Sequence, residues 1–154
     1  MIHTTRTTVV RIAIVAGALA LAACSQMEMK KDMQEMKAMV TGEKLALSGA
    51  NEVPAVTTSA GGTGTITVAA DHSVSGSVTV TGMSPTAAHI HTGATGVNGP
   101  VIVPLTQNGN VFTVPAGAKL TDAQYDAYKA GNLYVNVHSA ANPGGEIRAQ
   151  LKGS

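Results

Sequence analysis

The chain of 154 residues has no tryptophan, one phenylalanine and one cysteine. A lone cysteine cannot close a disulfide within the chain, so a stable domain here must rest on its apolar core. Three tyrosines and one phenylalanine give no row of aromatics on which bases of a single strand would stack. Charged residues make up only 12% of the chain, ten basic against nine acidic, which is not the basic stripe that phosphate backbones dock on. Nucleic acid is therefore not an expected partner. The longest apolar run falls short of the about 20 residues that a membrane-spanning helix needs. Patterns for metal-free catalysis are missing as well: no glycine-rich phosphate cradle, no paired carboxylates, and a Ser139 beside His138 without an elbow or a third residue to orient the base.

What the N-terminus does hold is the three-part layout of an export signal. Arg6 and Arg11 are the basic start, Ile12 to Leu21 the apolar run, and Ala22-Ala23 the small-residue exit. Leu21-Ala22-Ala23-Cys24 resembles the bacterial lipobox, with the only cysteine at the position that would be acylated. The resemblance implies cleavage before Cys24, a lipid on that residue and attachment to a membrane of the cell envelope. Ser25 in place of an aspartate implies the outer membrane, facing the periplasm. The expected organisation is a signal peptide over 1–23, a lipidated cysteine and tether over 24–43, and a folded domain over 44–154. Met27, Met29, Met33, Met36 and Met39 crowd the tether among Lys, Glu, Gln and Asp, and Met29, Met33, Met36 and Val40 recur at helical spacing. That reads as a short amphipathic helix or a stalk. Thioethers are also soft ligands for Cu(I), although methionine commonly fills apolar helix faces.

From residue 44 the composition turns to Thr, Val, Gly and Ala, and apolar side chains alternate as in strands: Leu45 and Leu47, Ile66 and Val68, Val78 and Val80. Gly61-Gly62, Asp71-His72 and Asn108-Gly109 are expected as turns. Asn108-Gly109, between Val101–Val103 and Val111–Val114, predicts a hairpin with a type I′ turn. Thr121 with Gln124 three residues on predicts a capped helix to Ala130, ended by Gly131. Leu133–His138 and Glu146–Leu151 should be the last strands, joined across Asn142-Pro143-Gly144-Gly145. About eight short strands in this length fit an all-β Greek-key sandwich, immunoglobulin-like or superoxide-dismutase-like, with one short helix. Ile66, Val68, Val78, Ile90, Val103, Val135, Val137 and Ile147 are expected in its core.

The histidines are where chemistry concentrates. On a strand, residues two apart share a face, so His89 and His91 project together while Ile90 points to the core. His138 lies on the face of its strand opposite Val135 and Val137. Three imidazoles from two strands suit copper or zinc; the same histidines can instead bond the backbone of the glycine-rich loop from Thr92 to Pro100. Glu52 is a further candidate ligand or an acceptor for an imidazole N–H, or else a partner of a cation such as Arg148.

The motifs Ser48-Gly49-Ala50-Asn51-Glu52-Val53-Pro54, Ala88-His89-Ile90-His91-Thr92-Gly93 with Asn98-Gly99-Pro100-Val101, Tyr134-Val135-Asn136-Val137-His138-Ser139 and Asn142-Pro143-Gly144-Gly145-Glu146-Ile147-Arg148 together resemble the CHRD domain, the module repeated in chordin. In chordin it belongs to an extracellular antagonist, which implies an interaction module docking an envelope protein or a polysaccharide. The order His-x-His, long loop, Val-x-Val-His and Gly-Gly turn is also similar to copper-zinc superoxide dismutase. That likeness implies copper ligation by His89, His91 and His138 and places Glu146, like Glu52 a further candidate ligand, near the position of a substrate-guiding arginine. The bridging histidine, the zinc-loop ligands and the disulfide of that enzyme are missing, so a redox enzyme ranks below a copper- or zinc-binding protein with a buffering or transfer role.

Overall fold

The computed structural model describes residues 26–27, 29–30 and 42–153, in a chain that divides into two compact units, residues 1–38 and 39–154. In the first unit residues 26–27 and 29–30 are helical, with Met27 and Met29 exposed. Cys24, Met33, Met36 and Met39 lie outside the described residues.

In the second unit the described residues form nine strands and one α-helix: β1 (Glu43–Ser48), β2 (Gly61–Val68), β3 (Val74–Thr81), β4 (Pro85–Thr92), β5 (Val101–Pro104), β6 (Thr106–Asn108), β7 (Val111–Thr113), α1 (Asp122–Lys129), β8 (Leu133–Ser139) and β9 (Ile147–Leu151). A 3-10 turn, Gly49–Asn51, follows β1. The strands join in the order β5-β4-β8-β9-β1-β2-β3-β7-β6, every pair antiparallel. β9 and β1 share a single residue pair, Ser48 with Arg148, and at this seam the ladder folds into two faces. The far edges meet where β5 runs through Leu105 into β6. There the Leu105 N–H donates to the Ala88 carbonyl at 3.0 Å and Gln107 Nε2 to the Pro85 carbonyl at 3.0 Å. The result is the expected all-β architecture with one short helix.

Alternation builds the core. β-branched residues stand well on a pleated, half-buried surface, and Leu45, Leu47, Ile66, Val68, Val78 and Val80 face Ile90, Val103, Val135, Val137, Ile147 and Leu151. All eight residues expected in the core are buried. Each contributes about 1.5–3 kcal/mol of transfer free energy relative to exposure. The helix begins as its sequence predicts: Thr121 Oγ1 accepts from Gln124 N at 3.3 Å, and the Gln124 side chain accepts from Thr121 N at 2.9 Å. At the domain's ends, the Lys152 N–H donates to Glu43 Oε1 at 2.6 Å, so β1 starts beside the end of β9.

Two local expectations need correction. Gly61-Gly62 is not a turn but the start of β2, where a Cβ on Gly62 would press to 3.2 Å of Ile147 Cδ1. The glycine serves packing across the sandwich. The hairpin at Asn108-Gly109 joins β6 to β7, whereas Val101–Val103 belongs to β5 and pairs with β4 on the opposite edge. Asn108 pairs with Val111, which leaves Gly109-Asn110 as the central residues, and of these only Gly109 has positive φ, +59°. Glycine first in a two-residue loop is the type II′ arrangement.

Candidate metal centre

The register of β4 on β8 sets Ala87 opposite His138, His89 opposite Asn136 and His91 opposite Tyr134. Ile90, Val135 and Val137 take the core, so the histidines stand on the outward face, as alternation requires. That face is not open to water. Tyr134 and Asn136 are each 2% exposed and His91 is 7% exposed. The loop from Thr92 to Pro100 covers one side: Thr92 N bonds the Pro100 carbonyl and Asn98 Nδ2 reaches the Val53 carbonyl at 2.7 Å.

The hydrogen bonds assign the protons. His91 Nδ1 lies 2.9 Å from the Gly99 carbonyl and His138 Nδ1 2.9 Å from the Pro143 carbonyl. A carbonyl only accepts, so both imidazoles donate from Nδ1 and, when neutral, carry a bare lone pair on Nε2. His91 Nε2 is buried with no hydrogen-bond partner. His89 Nδ1 stands 3.0 Å from His138 Nε2. One nitrogen from each ring falls within 4.8 Å of the others, close enough for a shared ion. An orphaned buried acceptor costs about 1–3 kcal/mol, and a metal on His91 Nε2 would remove that cost. The donor set fits copper or zinc, for which imidazole is an ordinary ligand.

Arg148 and Tyr134 build the wall behind His91. The Tyr134 ring stacks on His91 with centroids 4.8 Å apart and planes 6° apart, and the Arg148 guanidinium carbon sits 3.3 Å from the Tyr134 centroid. Because β4 and β9 flank β8 on opposite sides, the phenol ring lies between imidazole and guanidinium. Arg148, 1% exposed, donates to the carbonyls of Ala94 and Val97, to Asn98 Oδ1 and to Gln150 Oε1. Gly99 N donates to the Tyr134 hydroxyl at 3.2 Å. A Cβ on Gly99 would overlap the Thr92 carbonyl, so only glycine lets the loop close far enough for its carbonyl to hold His91. Of the three, His91 alone bonds the backbone of the Thr92–Pro100 loop, His138 bonds the Pro143 carbonyl of the β8–β9 turn, and His89 bonds no backbone, while one nitrogen of each ring lies close enough to the others to hold an ion.

Neither carboxylate joins the three histidines. Glu146 accepts from Thr58 Oγ1 at 2.7 Å and from Ser139 Oγ, and these bonds hold its carboxyl below the usual range. Glu52 is buried with Oε1 unpartnered; burial pushes its carboxyl up, against the Arg148 charge, the Val53 N–H and the Asn136 amide. A cleft of about 490 Å³ at the seam of β1 and β9 is lined by Glu52 and Arg148 but by none of the three histidines.

Burial, then the neighbouring imidazoles, lower His89; burial, then His91, lower His138 against the pull of the Pro143 carbonyl. Unfolded histidines titrate near about 6.5, so between that value and the lower folded ones the unfolded chain binds more protons. The stability these two contribute is present above about pH 6.5 and is lost as pH falls through the folded values. Chemical denaturation of the metal-free protein should show stability falling more from pH 7 to pH 5.5 in the wild type than in a His89→Gln, His138→Gln variant. Equal changes would refute the linkage.

Sequence reasoning finds all three histidines and the loop backbone that His91 bonds, and misses the wall of Tyr134 and Arg148 behind them. Arg148 alternates with Ile147 and Ala149, which places it on the outward face, but nothing local marks that face as covered.

Among curated proteins and among solved structures nothing matches the chain, so the likeness to superoxide dismutase rests on residue order alone. The family model described as the CHRD domain matches residues 44–151, which takes in all nine strands but the first residue of β1, together with the three histidines and the arginine behind them. The chain belongs to the CHRD-domain family.

Proposed function

We propose that this CHRD-domain protein binds one copper or zinc ion per chain through His89, His91 and His138, and that it buffers the metal or passes it on in the cell envelope. The observation that carries the reading is the buried, unpartnered Nε2 of His91 facing two further imidazoles. Three protein ligands leave one position for water or for a donor from another molecule, which suits exchange better than a closed structural site. Copper is favoured over zinc as the divalent ion by the usual order of affinities. Chemistry on superoxide has less support, because the bridging histidine, the zinc-loop ligands and the disulfide of superoxide dismutase are missing from this chain. Calorimetry on the protein purified metal-free should give one Cu(II) or Zn(II) per chain, with copper displacing zinc. Absence of uptake of either ion would end this reading.

The lipobox supports a place on the outer membrane through lipid on Cys24, with the polar tether carrying the domain into the periplasm. Labelled palmitate should enter the wild type, which should sediment with membranes. A Cys24→Ser variant should do neither, because one short polar segment has no means of holding a domain on a bilayer. Equal labelling of the variant would refute the anchor.

A further inference from the structure

The three imidazoles are not equivalent. His91 and His138 each spend Nδ1 on a backbone carbonyl, so their rings are fixed and their Nε2 atoms are acceptors. His89 has no such anchor. Its Nδ1 faces His138 Nε2 at 3.0 Å, and since that Nε2 is bare, His89 carries the proton on Nδ1 and donates it. In this arrangement His89 occupies the lone pair that His138 would give to an ion. Once displaced, His89 can offer a nitrogen in two ways. The proton can pass from Nδ1 to Nε2, with no net gain or loss, or the ring can turn to present its bare Nε2.

From this asymmetry we infer that His91 and His138 alone form a site for Cu(I), and that His89 is a latch recruited as third ligand only for Cu(II) or Zn(II). The inference rests on the metal-binding reading above. Two imidazole nitrogens are enough donors for a closed-shell Cu(I) ion, and one nitrogen of His91 lies within 4.8 Å of one of His138. Zinc in open sites keeps three protein ligands, and Cu(II) takes several nitrogen or oxygen donors in a tetragonal arrangement. A fixed pair plus a ligand that comes and goes would let one domain hold both oxidation states of copper with different grip. That is the property a transfer protein uses to release its cargo to a partner.

The test uses the full chain and compares wild type with His89→Ala, His89→Gln, His91→Ala and His138→Ala. Zn(II) is read by calorimetry, and Cu(I) by anaerobic competition with a chromophoric chelator. The His89 variants should hold Cu(I) within about threefold of wild type and lose Zn(II) affinity at least about 100-fold, beyond what loss of a supporting group costs. The other two variants should lose both ions. In nitrogen-resolved NMR of the wild type, a His89 ring nitrogen should take a ligand shift with Zn(II) and not with Cu(I). A His89→Ala protein that loses Cu(I) as heavily as His138→Ala would overturn the latch and leave the three-histidine site standing, whereas one that keeps Zn(II) would overturn the latch and remove His89 from the site. A wild type that binds neither ion would remove both.

Discussion

Changing His89 and His91 together to alanine is expected to lower the affinity for Cu(II) and Zn(II) at least about 100-fold, since even loss of a supporting group costs about 10- to 100-fold. The variant removes two of the three nitrogens that lie within 4.8 Å of one another and leaves His138 alone on its strand. The domain should still fold. His89 is half-buried and bonds only His138; losing His91 costs its bond to the Gly99 carbonyl and its stack on Tyr134, offset in part because a buried acceptor without a partner goes with it. His72→Ala is the control, because His72 stacks on Tyr125 at 4.2 Å and lies 3.4 Å from Asp122, at a turn outside the site. Calorimetry with both ions, and circular dichroism to confirm a β spectrum, decide the matter. Metal affinity equal to wild type in the double variant would remove the histidines from the function and bring the interaction-module reading forward.

Arg148→Met should be the most damaging single change for stability. The methionine fills much of the volume but leaves the Ala94 and Val97 carbonyls and Asn98 Oδ1 without their donor. Hydrogen bonds to charged groups contribute about 1.5–3 kcal/mol each, and the losses overlap, so a total of about 3–5 kcal/mol is expected. For a domain of this size that lowers the thermal midpoint by more than about 10 °C. The deficit should depend on pH through Glu52. Its folded carboxyl is raised, so its contribution to stability is fully present below the unfolded value and is lost as pH climbs through the folded one. Removing the Arg148 charge raises the folded value further. The gap between wild type and variant should therefore be larger at pH 7 than at pH 4. Thermal melts at both values measure it. A variant within about 1 kcal/mol of wild type would show that the loop holds itself without the guanidinium.

The parts of this molecule legible in its sequence are those governed by local periodicity. Period-two alternation puts Ile90 inside with His89 and His91 outside, and the same rule separates Val135 and Val137 from His138. The capping box at Thr121 and Gln124 is a short-range device and is found where the residues stand. What alternation does not carry is which strand lies beside which. Val101–Val103 precedes the Asn-Gly hairpin by only a few residues, yet it pairs with β4 while β6 crosses to the other edge. Nor does periodicity show that an outward face is covered. Tyr134 and Asn136 read as exposed positions, and their burial comes from loops far away in sequence. Glu52 is drawn toward the site by its motif, but its place beside Asn136 and Arg148 depends on the seam between β9 and β1, which no local pattern marks.

The bond from Lys152 to Glu43 has a topological consequence. It puts both ends of the folded domain at one pole, where the ladder of β8 on β9 also finishes with Leu133 against Leu151. Chain entering at Gly42 therefore meets the sandwich beside the point where it leaves. A short linker joining the old ends would span little distance, and new ends cut at the exposed Gly109-Asn110 turn would leave all nine strands whole and break only the β6–β7 connection, away from the histidines. A circularly permuted protein of this kind would carry the proposed lipid anchor, or a surface attachment, at the β6–β7 end instead. The same imidazoles would then be presented to their surroundings from the other pole of the sandwich.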